Sequence, residues 1–250
     1  MTSPLPPSIT ADALPQALRT VGHAVLAPDA LRTLIDVDAV PLTALVPSWS
    51  DLPPDAFLRD GGRYRRRRHS CFIVDGARVT QVPHRPHWQP LEYNALHGGL
   101  ERIFEPMRAD ITNQPAWAAL LHGLAAVCSQ IKGAQPWFVE AHQFRIDTTD
   151  GIGRPTPEGA HRDGVDFVAV LLVERSGIKG GETRVFEADG PAGQRFTMIE
   201  PWTTLLLDDA RVLHETTPIQ PLLSQSAPGG HRDTLVLTFR AGGFQGPAQA

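Results

Sequence analysis

The segment Gly159-Ala160-His161-Arg162-Asp163-Gly164, followed closely by the apolar run Phe167-Val168-Ala169-Val170-Leu171-Leu172-Val173, is the most informative part of the chain. His161 and Asp163 are two residues apart. In a β-strand, side chains alternate between the two faces, so residues i and i+2 point to the same side. An extended conformation here predicts an imidazole and a carboxylate side by side, just ahead of a buried strand.

A second imidazole would complete a metal-binding group. The candidate is His214, which lies 51 positions after Asp163 (214 − 163 = 51) and three or four predicted strands later. In a jelly roll, that many strands can bring the chain back beside its first strand. Two imidazoles and one carboxylate on one face of Fe(II) leave three coordination positions open. The alternative is a loop histidine beside a capping aspartate, with His214 as a separate core histidine.

The composition indicates an ordinary globular protein. With 250 residues, a net charge of −4 and 42% hydrophobic residues, the chain resembles neither a disordered tail nor a basic nucleic-acid binder. Its apolar runs are too short to span a bilayer, and no secretory signal is visible. Cys71 and Cys128 lack CxxC spacing and suit free thiols in a reducing compartment. We therefore expect a cytoplasmic protein without membrane contact.

One domain is predicted over residues 1–250. Its parts are a loose N-terminus at 1–9, supporting helices and strands at 10–135, core β-structure at 136–240 and a tail at 241–250. Helical periodicity and end signals predict helices at about 10–20, 28–36, 96–107 and 115–131. Alternation and turn residues predict strands at 22–26, 63–74, 77–82, 137–147, 167–174, 182–187, 195–200, 203–208, 212–216 and 231–240. This order is typical of a mainly β fold with flanking helices (α+β), an antiparallel sandwich or barrel covered by helices on one side.

Arg232 and Thr234 begin the last predicted strand. They share a face, and an arginine fork beside a hydroxyl is a good receptor for a carboxylate. Arg232 lies 18 residues after His214 (232 − 214 = 18), where the far end of a dicarboxylate co-substrate could be held. The alternative, a surface ion pair on a C-terminal strand, is less attractive at this position.

These residues, in this order, resemble the Fe(II)/2-oxoglutarate dioxygenases. Several longer stretches resemble the bacterial branch of free amino-acid hydroxylases that includes L-isoleucine 4-hydroxylase. They are 159–164, Gly180-Gly181-Glu182-Thr183, His214-Glu215-Thr216-Thr217-Pro218-Ile219, His231-Arg232-Asp233-Thr234-Leu235, 85–94 and 98–102. The resemblance covers roughly residues 22–240, almost the whole chain.

The resemblance implies a double-stranded β-helix, the jelly roll of cupin-like proteins. It implies Fe(II) bound by His161, Asp163 and His214, with 2-oxoglutarate anchored by Arg232 and Thr234. O₂ would be the second co-substrate, and succinate and CO₂ would accompany hydroxylation. No acid–base pair or nucleophile is required, because the cofactor carries the difficult chemistry.

Further candidates come from the remaining polar positions. The run Arg63-Tyr64-Arg65-Arg66-Arg67-Arg68-His69 is interpreted as a strand with alternating arginines rather than a nucleic-acid site, and the resemblance suggests that Arg65 or Arg67 holds a substrate carboxylate. Gln143 or Arg145 could reach the co-substrate if their face of the strand is internal. Thr183 follows two glycines, where the backbone can approach the site. The histidines at 84, 87, 97 and 231 are treated as structural.

The sequence therefore predicts an Fe(II)/2-oxoglutarate oxygenase that hydroxylates a small free amino acid or a close derivative. A homodimer is compatible with it. The alternatives are the same fold acting on a carrier-bound or peptidyl substrate, a cupin-like metal-binding protein without oxygenase turnover, and a nucleic-acid demethylase.

Overall fold

The structure is a computed structural model that describes residues 4–36, 41–94, 96, 98–222 and 229–247. Its helices are α1 (Leu14–Val21), α2 (Pro28–Ile35), α3 (Ala109–Thr112) and α4 (Pro115–Lys132), with a 3-10 helix at Leu42–Trp49. Its strands are β1 (Ser8–Ile9), β2 (His23–Leu26), β3 (Arg65–Asp75), β4 (Arg78–Gln81), β5 (Trp137–Asp147), β6 (Phe167–Ser176), β7 (Ile178–Gly180), β8 (Thr183–Glu187), β9 (Gly193–Phe196), β10 (Thr204–Asp208), β11 (Val212–Thr216), β12 (Ile219–Pro221) and β13 (His231–Ala241). None of these helices is long and apolar enough to cross a membrane.

The strands form a jelly roll. A long sheet has the order β1-β2-β10-β6-β13-β5-β3-β4, and two short sheets have the orders β11-β8-β9 and β12-β7. All of these pairs are antiparallel except β1 with β2. The arrangement confirms the predicted double-stranded β-helix with flanking helices.

β6 shows why the central run is apolar at every position. Val168, Val170 and Leu172 pack toward the short sheets, in a cluster that includes Val185 of β8. Phe167, Ala169, Leu171 and Val173 pack on the other face, in the large core that contains the helices. A strand covered on both faces cannot alternate between apolar and polar residues.

The long sheet separates a helix-facing side from a cavity-facing side. On β13, Leu235, Leu237 and Phe239 belong to the helix-side core. Thr234, Val236 and Thr238 line the cavity instead. β5 lies between β13 and β3, so cavity-facing residues from three adjacent strands meet there.

The helix predicted at 96–107 is wrong for the residues the structure describes, which exclude Ala95 and His97. This segment forms turns, and Arg102 makes a two-way backbone bridge with His87. Gly98 is pressed against other backbone: a Cβ there would lie 2.5 Å from the carbonyl O of Asn94 and 2.6 Å from that of Pro90. The two adjacent glycines mark this close approach rather than an interrupted helix.

Other differences are smaller. α1 begins at Leu14 because Pro15 occupies its first turn. The N-terminus, predicted to be loose, contributes β1, and the short strands β7 and β12 were not predicted. The bounds predicted for β5 and β11 are confirmed. The predicted turn at 228–230 begins outside the described residues.

Candidate active site

His161 and His214 face each other across a two-residue antiparallel bridge. The backbone N–H of His161 donates to the carbonyl O of His214 at 3.1 Å, and that of His214 donates to His161 at 3.0 Å. Opposite residues in such a pair project to the same face, and the two ring centroids lie 4.6 Å apart. Distant segments of the chain therefore present two imidazoles side by side.

The prediction that His161 and Asp163 lie on a strand is wrong. Apart from the bridge at His161, this segment is a loop that ends just before β6, and Gly164 takes the left-handed backbone conformation (φ +76°). Asp163 nevertheless points to the same place, with its Oδ2 3.9 Å from Nε2 of His214. The loop turns the carboxylate toward the imidazoles by a different geometry from the one that the i, i+2 spacing suggested.

The potential ligand atoms of His161, Asp163 and His214 all lie within 4.8 Å of one another. His161 Nδ1 lies 2.9 Å from the carbonyl O of Gly159. Because a carbonyl only accepts, Nδ1 carries the proton and Nε2 keeps its lone pair. Asp163 Oδ1 accepts a hydrogen bond from the amide of Gln89 at 3.0 Å. Such outer partners orient ligands in metal sites, so the donor set and its supports fit Fe(II).

The charges of this group also suit a cation. Burial lowers the pKa of His214, and the neighbouring His161 lowers it further, so this imidazole is neutral. Burial raises the pKa of Asp163. A divalent ion at this position would favour the ionised carboxylate and the neutral imidazole that ligation requires.

The three side chains line a cavity of about 120 Å³. This volume is small beside the roughly 300–1,000 Å³ of pockets for drug-sized ligands. Arg232 and Thr234 of β13 line the same cavity. Arg232 is 3% exposed, and among the described residues its Nε and Nη2 find no hydrogen-bond acceptor. Burial, with Arg175 nearby, lowers the pKa of Arg232 to about 10, as expected for a guanidinium that lacks a counter-charge.

Arg65 and Arg67 of β3 also line this cavity. Nε of Arg65 donates to Asp55 Oδ2 at 2.7 Å, so this charge is largely neutralised. The Arg67 guanidinium lies between two aromatic rings, 3.7 Å from the centroid of Phe104 and 4.4 Å from that of Phe144. Its Nη2 contacts Nδ1 of His142 at 2.7 Å, while its Nε has no acceptor in the described part of the chain. Arg67 is thus held in place, and its Nε–H is left for a ligand.

Arg102 is a further cavity residue that sequence reasoning missed, because its segment was predicted to be helical. It is 2% exposed, and its Nη2 donates to Gln89 Oε1 at 3.0 Å. Its Nε has no acceptor among the described residues. Gln89 accepts from Arg102 and donates to Asp163, and therefore links the basic part of the cavity to the potential metal site.

Gln143 does not reach the cavity. Its side chain lies on the helix-facing side of β5 and donates to Ser48 Oγ at 2.6 Å. Its neighbour on that face, Arg145, pairs with Asp233. Thr183 lies opposite Thr216, a cavity residue, in the β8–β11 pair. The Thr183 hydroxyl is buried, with no partner in the described residues.

A second buried group joins His69, His87, Glu140 and His142, whose potential ligand atoms also lie within 4.8 Å of one another. Glu140 Oε2 lies 2.5 Å from His87 Nδ1 and 3.0 Å from His69 Nε2. Arg67 has only donors, so His142 Nδ1 must be its acceptor and the proton of neutral His142 sits on Nε2. That tautomer has no lone pair on Nε2 for a metal. The group is therefore a hydrogen-bonded network that supports Arg67.

The 2OG-Fe dioxygenase family model matches residues 46–238. The crystal structure of a BsmA homologue from Methylobium petroleophilum PM1 is 52% identical, with a TM-score of 0.90 and 98% of each chain covered. IDO from Bacillus thuringiensis is 17% identical, with a TM-score of 0.71 and coverage of 95% of this chain and 100% of that one. The Fe(II)/α-ketoglutarate-dependent dioxygenase TqaL is 21% identical, with a TM-score of 0.70 and coverage of 92% and 86%. None of the curated proteins compared with the chain matches it.

Proposed function

Because this chain belongs to the 2OG-Fe dioxygenase family, we propose that it hydroxylates a small free L-amino acid or a close derivative, at the expense of 2-oxoglutarate and O₂. Fe(II)/2-oxoglutarate dioxygenase activity follows from the family. That the substrate is a free amino acid is the more specific part of the proposal. The observation that carries it is a cavity with two separate basic anchors, each with N–H groups that lack an acceptor.

The first anchor suits the co-substrate. We assign the far carboxylate of 2-oxoglutarate to Arg232, with the hydroxyl of Thr234 as a second donor on the same face of β13. A carboxylate there would supply the acceptors that Nε and Nη2 lack. The unpartnered hydroxyl of Thr183 is a further donor for the co-substrate.

The second anchor suits the carboxylate of the substrate. Arg67 is the better of the two predicted arginines, because Arg65 Nε lies 2.7 Å from Asp55 Oδ2, whereas Arg67 Nη1 lies 3.9 Å from the same oxygen. The rings of Phe104 and Phe144 fix the plane of the Arg67 guanidinium, and Arg102 offers a second unpaired N–H in the same cavity. Apolar cavity residues, among them Ile146 and Val170, leave room for an aliphatic side chain.

We assign Fe(II) to His161, Asp163 and His214. Bound there, it would supply the oxidation chemistry, in which one atom of O₂ enters a substrate C–H bond and the other enters succinate as 2-oxoglutarate loses CO₂. The protein's own residues orient the two carboxylates, keep the His214 imidazole neutral and limit the space around the reacting carbon.

The test is a screen of the twenty amino acids for succinate formation with Fe(II), 2-oxoglutarate and ascorbate. We expect one or a few amino acids to raise succinate above the level without substrate and to gain 16 mass units, the mass of one oxygen atom. Arg67→Lys should raise KM for that amino acid and leave KM for 2-oxoglutarate within about twofold. Succinate formation with none of the twenty, together with an oxygen gain on a carrier-bound aminoacyl group or a peptide, would overturn the proposal.

A further inference from the structure

Glu158 has no role in the predicted chemistry, yet it lies at the centre of the site. It lines the same cavity, and its side chain is 15% exposed. Its Oε1 lies 3.6 Å from His161 Nε2, and its Oε2 is buried without a hydrogen-bond donor among the described residues. A buried carboxylate oxygen with no donor is costly, so this position calls for a ligand that brings donors.

The loop that carries Glu158 is held in place by β11. Thr156 Oγ1 donates to the carbonyl O of Thr216 at 3.0 Å and accepts from its backbone N–H at 3.0 Å. The N–H of Gly159 then closes a turn onto the carbonyl O of Thr156, and Gly159 takes the left-handed conformation (φ +81°). Glu158 is therefore fixed three residues before His161 and does not depend on a flexible arm.

Other cavity groups without hydrogen-bond partners among the described residues are donors, whereas Glu158 is an acceptor. Arg65 Nη2, Arg67 Nε and Arg102 Nε are donors without acceptors, and they come from β3 and the 98–107 segment rather than from the loop of Glu158. A ligand that satisfies both sets must carry an acceptor for the arginines and a donor for Glu158, and opposite charges on these two groups would match both sets best. An α-amino acid zwitterion has both on one carbon.

From these observations we propose that Glu158 is the receptor for the substrate's α-ammonium group and sets the specificity for amino acids over carboxylic acids without an amine. This inference rests on the proposed function. An ammonium has three N–H donors and no acceptor, which matches the free oxygen of Glu158. With the ammonium tied to the loop of His161, the distance of the substrate from the metal ligands is fixed by a short, rigid stretch of chain.

The experiment measures binding without turnover. The probe is the amino acid with the highest succinate yield in the screen of twenty, with its des-amino carboxylic acid as the matched analogue. Calorimetric titrations use full-length protein loaded with Mn(II) and 2-oxoglutarate. We expect the wild type to prefer the amino acid by about 10- to 100-fold, the range for hydrogen bonds between charged groups. Glu158→Gln should remove most of that preference by weakening the binding of the amino acid. The des-amino acid should bind the variant and the wild type with the same affinity.

The control is Glu215→Gln. Glu215 lies on β11 next to His214, and its side chain pairs with Arg184, so this change should leave the preference intact. A Glu158→Gln protein that keeps the wild-type preference would overturn the inference, as would one that loses Mn(II), because Glu158 would then belong to the metal site. Equal binding of the amino acid and its des-amino analogue by the wild type would overturn it without any variant. Succinate formation with no amino acid would overturn the proposed function itself, and the inference with it.

Discussion

The carboxylate of Asp209 accepts a hydrogen bond from the backbone N–H of Asp163, with 3.0 Å between Oδ1 and N. Its Oδ2 accepts from the next two N–H groups, those of Gly164 at 2.7 Å and Val165 at 3.1 Å. Asp209 follows β10 and lies five residues before His214. The same short connection thus holds the loop of one proposed metal ligand and leads into the strand of another.

We expect Asp209→Asn to weaken metal binding by about 10- to 100-fold, the usual effect of losing an outer partner of a metal ligand. An asparagine amide has one accepting oxygen, and its NH₂ group would face a backbone N–H. The loop that carries Asp163 would then lose part of its support. Calorimetric titration with Mn(II) measures the affinity.

Asp208→Asn is the matched control for this change. The Asp208 carboxylate accepts only from the N–H of Ala210, at 3.3 Å, among the hydrogen bonds of the described residues. Its substitution should leave Mn(II) affinity within about twofold. Equal losses in both variants would show that general loosening of the turn, rather than support of Asp163, is responsible.

Arg232→Gln should raise the dissociation constant for 2-oxoglutarate by at least tenfold. The reason is the loss of a charged donor to a carboxylate, which is worth about 1.5–3 kcal/mol. Arg240→Gln is the control on the same strand, because Arg240 Nη1 donates to the carbonyl O of Gly243 and Arg240 does not line the cavity. Similar 2-oxoglutarate affinity in Arg232→Gln and wild type would remove Arg232 as the anchor.

The purified protein should bind one equivalent of Fe(II) per chain. Arg67 donates to Nδ1 of His142, so Nε2 of His142 carries the proton and has no lone pair for a metal ion. The second histidine group therefore has one ligand fewer. Elemental analysis of iron-loaded protein should therefore show a loss of iron in His161→Ala and full occupancy in His142→Gln. Two equivalents in the wild type with one of them lost in His142→Gln, or loss of iron only in His142→Gln, would mean that the second group is a metal site.

Prediction of the fold from sequence succeeded where two physical signals agreed. β5 and β11 were predicted with the correct bounds, because alternation and turn residues both mark their ends. The grouping of His161, Asp163 and His214 was anticipated although the local geometry was not. Asp163 reaches the group through a loop supported by Asp209, and a backbone hydrogen bond to a distant side chain leaves no periodic signal.

The failures have equally specific causes. Alternation along β5 correctly separated Gln143 from His142 but could not say which face is internal, because β5 is buried on both faces. Arg102 was missed because Gly98 packs against backbone from residues 90–94 and Gly99 packs against the Leu91 side chain, contacts that only the folded chain reveals. Glu158 was overlooked because an isolated glutamate in a loop has no motif.

The buried histidine network makes stability depend on pH. Burial lowers the pKa of His69, of His142 and of His87, the last to about 4, although interaction with Glu140 raises those of His69 and His87. In the unfolded chain each histidine titrates near its ordinary value of about 6.5. Between the lowered pKa of the folded state and the ordinary value, the unfolded state binds more protons than the folded state. The contribution of the network to stability is therefore fully present above about pH 6.5 and is lost as the pH falls toward 4. Each histidine contributes up to about 1.4 kcal/mol per pH unit.

Urea unfolding at pH 7.5, 6 and 5 should therefore show a falling free energy of unfolding, with a shallower fall in His87→Gln. Phe72→Leu, which perturbs β3, the strand of His69, without changing a titratable group, should lower the free energy of unfolding equally at each pH. An unchanged slope in His87→Gln would mean that the pKa of His87 is the same in the folded and unfolded states, and a steeper fall would mean that His87 is protonated in the folded protein and forms a salt bridge with Glu140.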